Sequence, residues 1–144
     1  MATRVQVVLD CADPDRLAHF WAQALGYKIQ DPPAGFDSWE AFLRHVGVPE
    51  DEWDSASAAV DPSGVGPRLF FQRVPEGKVV KNRVHLDLNV SGGLGTPLET
   101  RKSQVDAEVD RLVGIGATRQ RSREKNGEYH VVMQDPEGNE FCVQ

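Results

Sequence analysis

The sequence predicts an α+β domain in which one βαβββ module occurs twice, and three observations carry that expectation. The first is a repeated turn. Asp135-Pro136-Glu137-Gly138 precedes the alternating stretch Glu140 to Gln144, and Asp61-Pro62-Ser63-Gly64 precedes Pro67 to Gln72. In such a turn Pro fixes φ, Asp bonds the backbone locally, and Gly takes a conformation other residues resist. The second is a strand pattern that restarts: Val5 to Asp10 reads as a buried strand, Val84 to Val90 alternates, and Gln6 and His85 fall in matching slots 79 residues apart. The third is that each opening strand is followed by an amphipathic helix and then by strand and hairpin signals.

Length and composition agree with one domain spanning residues 1–144, with module one at about 1–75 and module two at about 82–144. The chain has 144 residues, of which 40% are hydrophobic, enough for a genuine core, and no obvious linker separates the two halves. No window is apolar enough to span a membrane, and Met1-Ala2-Thr3-Arg4 lacks the apolar run of a signal peptide. Cys11 and Cys142 make no disulfide framework, so a cytoplasmic location is expected. A net charge of -6 argues against nucleic acid as a partner. The one basic run, Arg119 to Lys125, is interrupted by Glu124 and reads as a solvated turn.

In chain order, the first helix begins at Asp13, a good N-cap, with Pro14 at its first position and Asp15 near the positive end of the dipole. Leu17, Phe20, Trp21, Ala24 and Leu25 form its apolar stripe, and Gly26 closes it. Tyr27 to Gln30 is a short strand stopped by Asp31-Pro32-Pro33. The segment near 32–53 has the look of an insertion. Trp39, Phe42, Leu43 and Val46 have helical spacing, ended by Gly47-Val48-Pro49. Its two tryptophans, Trp39 and Trp53, either cap a cleft or bury against the sheet rim. Residues 55–60 and 67–74 make a hairpin around the first Asp-Pro turn. After Val84 to Val90 comes a helix whose stripe is Val105, Val109, Leu112 and Val113. A short strand at Ala117 to Gln120, a turn at Asn126-Gly127 and a strand from Glu128 to Gln134 complete the second module.

These motifs together are similar to those of the vicinal oxygen chelate superfamily, which includes glyoxalase I, bleomycin-resistance proteins and extradiol dioxygenases. The resemblance is carried by the doubled βαβββ order, Asp13-Pro14-Asp15-Arg16-Leu17-Ala18-His19-Phe20-Trp21, Val84-His85-Leu86-Asp87-Leu88, and the closing Asp135-Pro136-Glu137-Gly138-Asn139-Glu140-Phe141-Cys142-Val143. More narrowly the chain resembles bacterial glyoxalase-like domains, over nearly all of its length except the insertion. The resemblance implies facing half-barrel sheets with helices outside, a small-molecule ligand in the cleft, and a homodimer.

In metal-dependent members each module supplies one ligand from its first strand and one from its last. By position the resemblance implies Gln6 and His85 for the first strands, Cys142 where a Glu is usual, and Phe70 or Gln72 in the fourth slot. Neither closing carboxylate is present. Hard divalent ions need anionic oxygens, so no metal is expected. If one is held, it is Zn²⁺ on Gln6, His85 and Cys142, the thiolate supplying the charge. Glu140 shares the face by parity but is not the ligand slot, and it reads as a surface or rim residue.

His85, Asp87 and Asn89 alternate opposite four aliphatic residues, which turns His85 towards something other than the core; a purely structural histidine is the alternative. Asp87 is placed to orient it, although two residues along a strand is often too far for a direct bond. The expected function is small-molecule binding through Gln6, His85, Gln72, Phe70, Cys142 and Asp87, around a degenerate metal site. The alternative is a divalent-metal-dependent lyase, isomerase or dioxygenase acting on a small oxygenated substrate. A third possibility is an interaction module using the acidic insertion.

Overall fold

The computed structural model describes residues 1–144 throughout. The elements run β1 (Val7–Cys11), α1 (Pro14–Leu25), β2 (Lys28–Ile29), α2 (Trp39–Val46), β3 (Ala56–Val60), β4 (Leu69–Arg73), β5 (Asp87–Leu88), α3 (Leu98–Gly114), β6 (Thr118–Lys125), β7 (Glu128–Gln134) and β8 (Glu140–Val143). They form two compact units, Met1–Gly77 and Lys78–Gln144. Each holds one four-stranded mixed sheet, ordered β1-β4-β3-β2 in the first and β5-β8-β7-β6 in the second. In both sheets the first and last strands of the module pair in parallel, and the remaining pairs are antiparallel. This is the α+β, twice-βαβββ fold.

In the first unit, Asp13 caps α1 by accepting from the Arg16 amide at 3.1 Å, and Gly26 closes the helix. The stripe Leu17, Phe20, Trp21 and Ala24 is buried, and the helix packs against β2, β3 and β4. There Leu69 and Phe71 are buried beneath it, as is Ala59. Each large side chain in this layer contributes about 1.5–3 kcal/mol by leaving water. Because strand side chains alternate, the same geometry turns Arg68, Phe70 and Gln72 to the opposite face.

The second unit repeats this arrangement. Val105, Val109 and Leu112 of α3 are buried against a sheet whose Val131, Met133, Phe141 and Val143 are also buried. Val113, expected on this stripe, is exposed; it lies one residue past Leu112, and helical periodicity rotates it outward.

Two further expectations need correction. Regular pairing in β5 covers only Asp87–Leu88, not all of Val84 to Val90. Hydrogen bonds such as Cys142 N to Leu86 O (3.0 Å) and Val90 N to Gln144 O (2.7 Å) extend the contact on both sides, but Val84 is 82% exposed. The only partner of β5 is the short strand β8, so the ladder has few residues to use. The basic run Arg119 to Lys125 is strand rather than turn: it forms most of β6, pairs along β7 with a register shift between Arg119 and Arg121, and is exposed at every position. Backbone pairing makes this strand, and two of its charged side chains meet partners on α3, Glu124 with Lys102 at 2.8 Å and Arg119 with Asp106 at 3.9 Å. The turn itself lies at Asn126-Gly127, where φ values of 55° and 74° give the doubly left-handed turn favoured in tight hairpins.

The inserted segment carries α2, capped by Ser38 accepting from the Ala41 amide at 3.1 Å, and one 3-10 turn at Glu50–Glu52. No residue of α2 is buried. Its aromatic residues pack on one another, with Phe36–Phe42 and Trp39–Phe42 ring centroids 5.2 Å and 5.9 Å apart. Trp39 donates its indole N–H to Gln30 O at 2.8 Å and Trp53 donates to Val48 O at 2.9 Å. Trp39 therefore anchors the segment at the rim of β2.

Both Asp-Pro turns are held by their aspartates. Asp61 accepts from the amides of Gly66 (2.7 Å), Ser63 (2.8 Å) and Val65 (3.2 Å), which hold its carboxyl down at about 2. Asp135 accepts from the amides of Glu137 (2.9 Å) and Asn139 (3.0 Å). At Gly66 the backbone comes so close to Tyr27 that an added Cβ would lie 2.0 Å from its hydroxyl. Gly66→Ala should therefore cost about 1–3 kcal/mol in denaturant unfolding. Tyr27→Phe in that background should recover part of the loss, and a Gly66→Ala variant as stable as the parent would contradict the close approach.

Candidate functional site

Strand pairing aligns the two modules residue by residue. In the first, Val7 N donates to Arg68 O at 3.1 Å, and Val8 lies opposite Phe70. In the second, Cys142 N donates to Leu86 O, and Asp87 lies opposite Cys142. Matching β1 to β5 through Gln6 and His85 therefore places Phe70, rather than Gln72, in the position equivalent to Cys142. Three rows of side chains result on the face turned away from each helix. They are Gln6 with Arg68, Val8 with Phe70 and Asp10 with Gln72 in the first unit, and His85 with Glu140, Asp87 with Cys142 and Asn89 with Gln144 in the second.

The third row is the same in both units. Gln72 Nε2 donates to Asp10 Oδ1 at 2.8 Å, and Gln144 Nε2 donates to Asn89 Oδ1, also at 2.8 Å. Gln72 is thus engaged at the strand's end, one row away from Phe70.

The first row of the first unit is built around a cation. Arg68 Nη1 donates to Gln6 Oε1 at 2.6 Å, its Nε donates to Gln30 Oε1 at 2.8 Å, and its guanidinium carbon lies 5.2 Å from the Phe70 ring centroid. Gln6 therefore presents its amide oxygen to a guanidinium. Sequence reasoning singled out Gln6 and Phe70 but missed Arg68 and Gln30. The available signal was parity, since Arg68, Phe70 and Gln72 share one strand face.

In the second unit the corresponding row holds Glu140, expected at the surface or the rim and found at the rim, engaged by partners. Its side chain is only 13% exposed, accepts from the Asn82 amide at 2.9 Å and lies 3.1 Å from Lys78 Nζ. Burial opposes its charge, but these donors outweigh it and hold the carboxyl at about 2. Glu140 thus fastens the segment Lys78–Asn82 to β8.

The middle-row pair Asp87 and Cys142 and the first-row His85 come together in this unit, their ligating atoms within 4.8 Å of one another. His85 Nε2 is 3.3 Å from Asp87 Oδ1, so residues two apart on this strand do reach each other. Burial pushes the Cys142 thiol up, and the neighbouring Asp87 carboxylate, its hydrogen-bond partner, pushes it further. At neutral pH Cys142 is a protonated donor rather than an activated nucleophile. Asp87, expected to orient His85 and to contact a ligand but not among the expected metal ligands, supplies a third ligating atom to this group, while Gln6 belongs to the Arg68 cluster.

The family profile of the glyoxalase-like domain matches residues 6–144. The chain belongs to the glyoxalase-like family. Solved structures share this fold at low identity. A glyoxalase/bleomycin resistance protein/dioxygenase family enzyme from Burkholderia phytofirmans is 18% identical, with a TM-score of 0.61 over 96% of this chain and 94% of its own. A possible glyoxalase from Bacillus cereus is 15% identical, with a TM-score of 0.61 over 100% and 99%. A mutant of the fosfomycin resistance protein FosX from Listeria monocytogenes, complexed with Mn(II) and 1S,2S-dihydroxypropylphosphonic acid, is 9% identical, with a TM-score of 0.63 over 100% and 90%. These likenesses place the glyoxalase-like chain in the vicinal oxygen chelate fold. No curated protein matches it.

The state of Cys142 is open to direct measurement. Alkylation by iodoacetamide at pH 8, followed site by site by peptide mass spectrometry to separate Cys142 from buried Cys11, should be slow. Asp87→Asn removes the charge that raises the thiol, and the Cys142 rate should rise about two- to fivefold, because a lower thiol pKa exposes more thiolate but weakens each one as a nucleophile. An unchanged or slower rate would show that Asp87 does not govern the thiol.

Proposed function

We propose that this glyoxalase-like protein binds a small organic molecule on the polar faces of its sheets without a resident hard divalent ion, in the manner of the bleomycin-resistance branch of its family. The observation that carries this reading is the chemistry of the first module's two ligand slots. Gln6 offers one neutral oxygen, already bonded to Arg68, and Phe70 offers no donor atom. A divalent ion brought to Gln6 would meet the guanidinium charge and no compensating anion, which makes its dehydration costly. These residues do not fit a hard divalent ion. Each unit offers its own polar set to such a ligand, Gln6, Phe70 and Gln72 in the first and His85, Asp87 and Cys142 in the second.

One observation favours a second reading, a metal-dependent lyase, isomerase or dioxygenase. His85, Asp87 and Cys142 supply one nitrogen, one carboxylate oxygen and one sulfur at close range. That mixed set fits Zn²⁺ better than Mn²⁺ or Mg²⁺. Bound there, Zn²⁺ would supply a Lewis acid for a small oxygenated substrate. The Mn(II) complex of FosX is a property of that protein, and its ligands do not transfer at 9% identity.

Elemental analysis of protein purified without chelator separates the two. The binding reading expects Mg, Mn, Ni and Fe far below one per chain, with Cys142→Glu gaining Ni²⁺ affinity and His85→Ala abolishing that gain. Stoichiometric Ni or Fe in the parent, lost on His85→Ala, would overturn it, and stoichiometric Zn lost in the same variant would establish the second reading.

We also assign a homodimer as the working state and a reducing cytoplasm as its compartment. Family resemblance supports the first, and two cysteines that form no disulfide, Cys11 and Cys142, support the second. No helix is long and apolar enough to cross a membrane. Sedimentation should give about twice the 15.9 kDa chain mass at micromolar concentration, and a monomer up to near-millimolar concentration would refute the dimer.

A further inference from the structure

We infer that Arg68 is an oxyanion-recognition residue, held ready for a carboxylate or phosphate-like group carried beside a flat apolar moiety. The inference deepens the small-molecule reading above and rests on it for the location of the ligand. It begins from a charge without a counter-charge. Arg68 is half-buried, yet no carboxylate lies within ion-pair distance of its guanidinium; both of its hydrogen-bond acceptors, Gln6 Oε1 and Gln30 Oε1, are neutral amides. The equivalent position in the second unit shows the contrast, since Glu140 there is matched by Lys78 at 3.1 Å.

The guanidinium is also fixed. Its two acceptors come from the ends of β1 and β2, so three strand ends converge on one group. The Gln30 backbone is itself pinned by the Trp39 indole at 2.8 Å. The guanidinium carbon lies over the Phe70 ring, 5.2 Å from its centroid. A guanidinium has five N–H donors. Two are used here, which leaves three and the full positive charge for a partner. Planar, preorganised Arg suits bidentate recognition of oxyanions, and prior fixation lowers the entropy lost on binding. Gln6 and Gln30 position this group, and Phe70 offers a ring for the apolar part of the ligand.

Two probes distinguish the sources of the oxyanion. Benzoate carries a carboxylate on a flat ring, and inorganic phosphate carries the oxyanion alone. Each is titrated into the full-length protein at low ionic strength, with ¹⁵N NMR of the Arg68 Nε–H and of the Gln6 and Gln30 side-chain amides. Saturable shifts at these groups are expected, with benzoate tighter than phosphate if Phe70 takes part. Arg68→Met should weaken benzoate about tenfold or more, the scale of a lost charge-assisted hydrogen bond. Gln30→Glu keeps the guanidinium and the fold but supplies an internal carboxylate, and it should weaken both probes to a similar degree. If Arg68 is only a staple for Gln6 and Gln30, Arg68→Met lowers Tm and leaves both affinities unchanged, and the inference is wrong. It is also wrong if neither probe shifts these resonances at millimolar concentration, or if Gln30→Glu binds as tightly as the parent. Metal analysis reads the small-molecule proposal separately. Stoichiometric zinc with normal Arg68-dependent benzoate binding would sink the metal-free reading alone, and metal-free protein indifferent to Arg68 would sink this inference alone.

Discussion

The parallel pairing between the first and last strand of each module determines which side chains meet. The paired segments are separated in sequence by two strands and two α-helices in the first unit and by two strands and one helix in the second, and the ladder then sets their register residue by residue. A shift of one position would turn the polar set towards the helix and the apolar set away from it. Burial of Leu69 and Phe71 under α1, and of Phe141 and Val143 in the second unit, makes that shift expensive. The core layer therefore holds the opposite face in place. Arg68 beside Gln6 and Cys142 beside Asp87 are consequences of packing they do not themselves take part in.

The Asp-Pro turns deliver the closing strands to that pairing. Asp61 and Asp135 each collect backbone amides that the turn would otherwise leave without partners. This local chemistry is written in a few adjacent residues, which is why the doubled module, the caps of α1, the end of α2 at Gly47 and the hairpin at Asn126-Gly127 were all legible in the sequence. Local signals failed where a partner strand decides the outcome. Alternation from Val84 to Val90 is a property of one segment, whereas the extent of β5 is limited by β8. The charges from Arg119 to Lys125 conceal a strand because its pairing with β7 runs through the backbone, and none of its side chains is buried.

The polar faces were legible only as a set of residues. Parity put Phe70, Gln72, Asp87 and Cys142 on paired strands and Gln6 and His85 just ahead of β1 and β5, but turn length left Phe70 and Gln72 interchangeable until pairing aligned Phe70 with Cys142. Arg68 escaped notice because its meaning is relational. An arginine at a strand entry is an ordinary surface residue unless its acceptors are known to be neutral. Gln30 and Gln6 come from 38 and 62 residues away in sequence, and no spacing rule connects them. The engagement of Glu140 was hidden for the same reason, since its partners Lys78 and Asn82 lie 62 and 58 residues earlier.

Equivalent positions in the two units have diverged in charge while keeping their geometry. The third row pairs a short polar side chain with a glutamine at the same 2.8 Å in both, Asp10 with Gln72 and Asn89 with Gln144. The middle row pairs Val8 with Phe70 in one unit and Asp87 with Cys142 in the other; the first row carries a cation in one and an anion in the other. A backbone frame that tolerates such exchange separates the question of fold from the question of chemistry. In the first unit the exchange leaves an aromatic ring under an uncompensated guanidinium; in the second it leaves a histidine, a carboxylate and a protonated thiol. The first set favours a flat anion and disfavours a cation. The second set favours a soft or borderline cation only if the thiol proton is first removed, and the Asp87 carboxylate opposes that removal until a metal supplies the compensating charge.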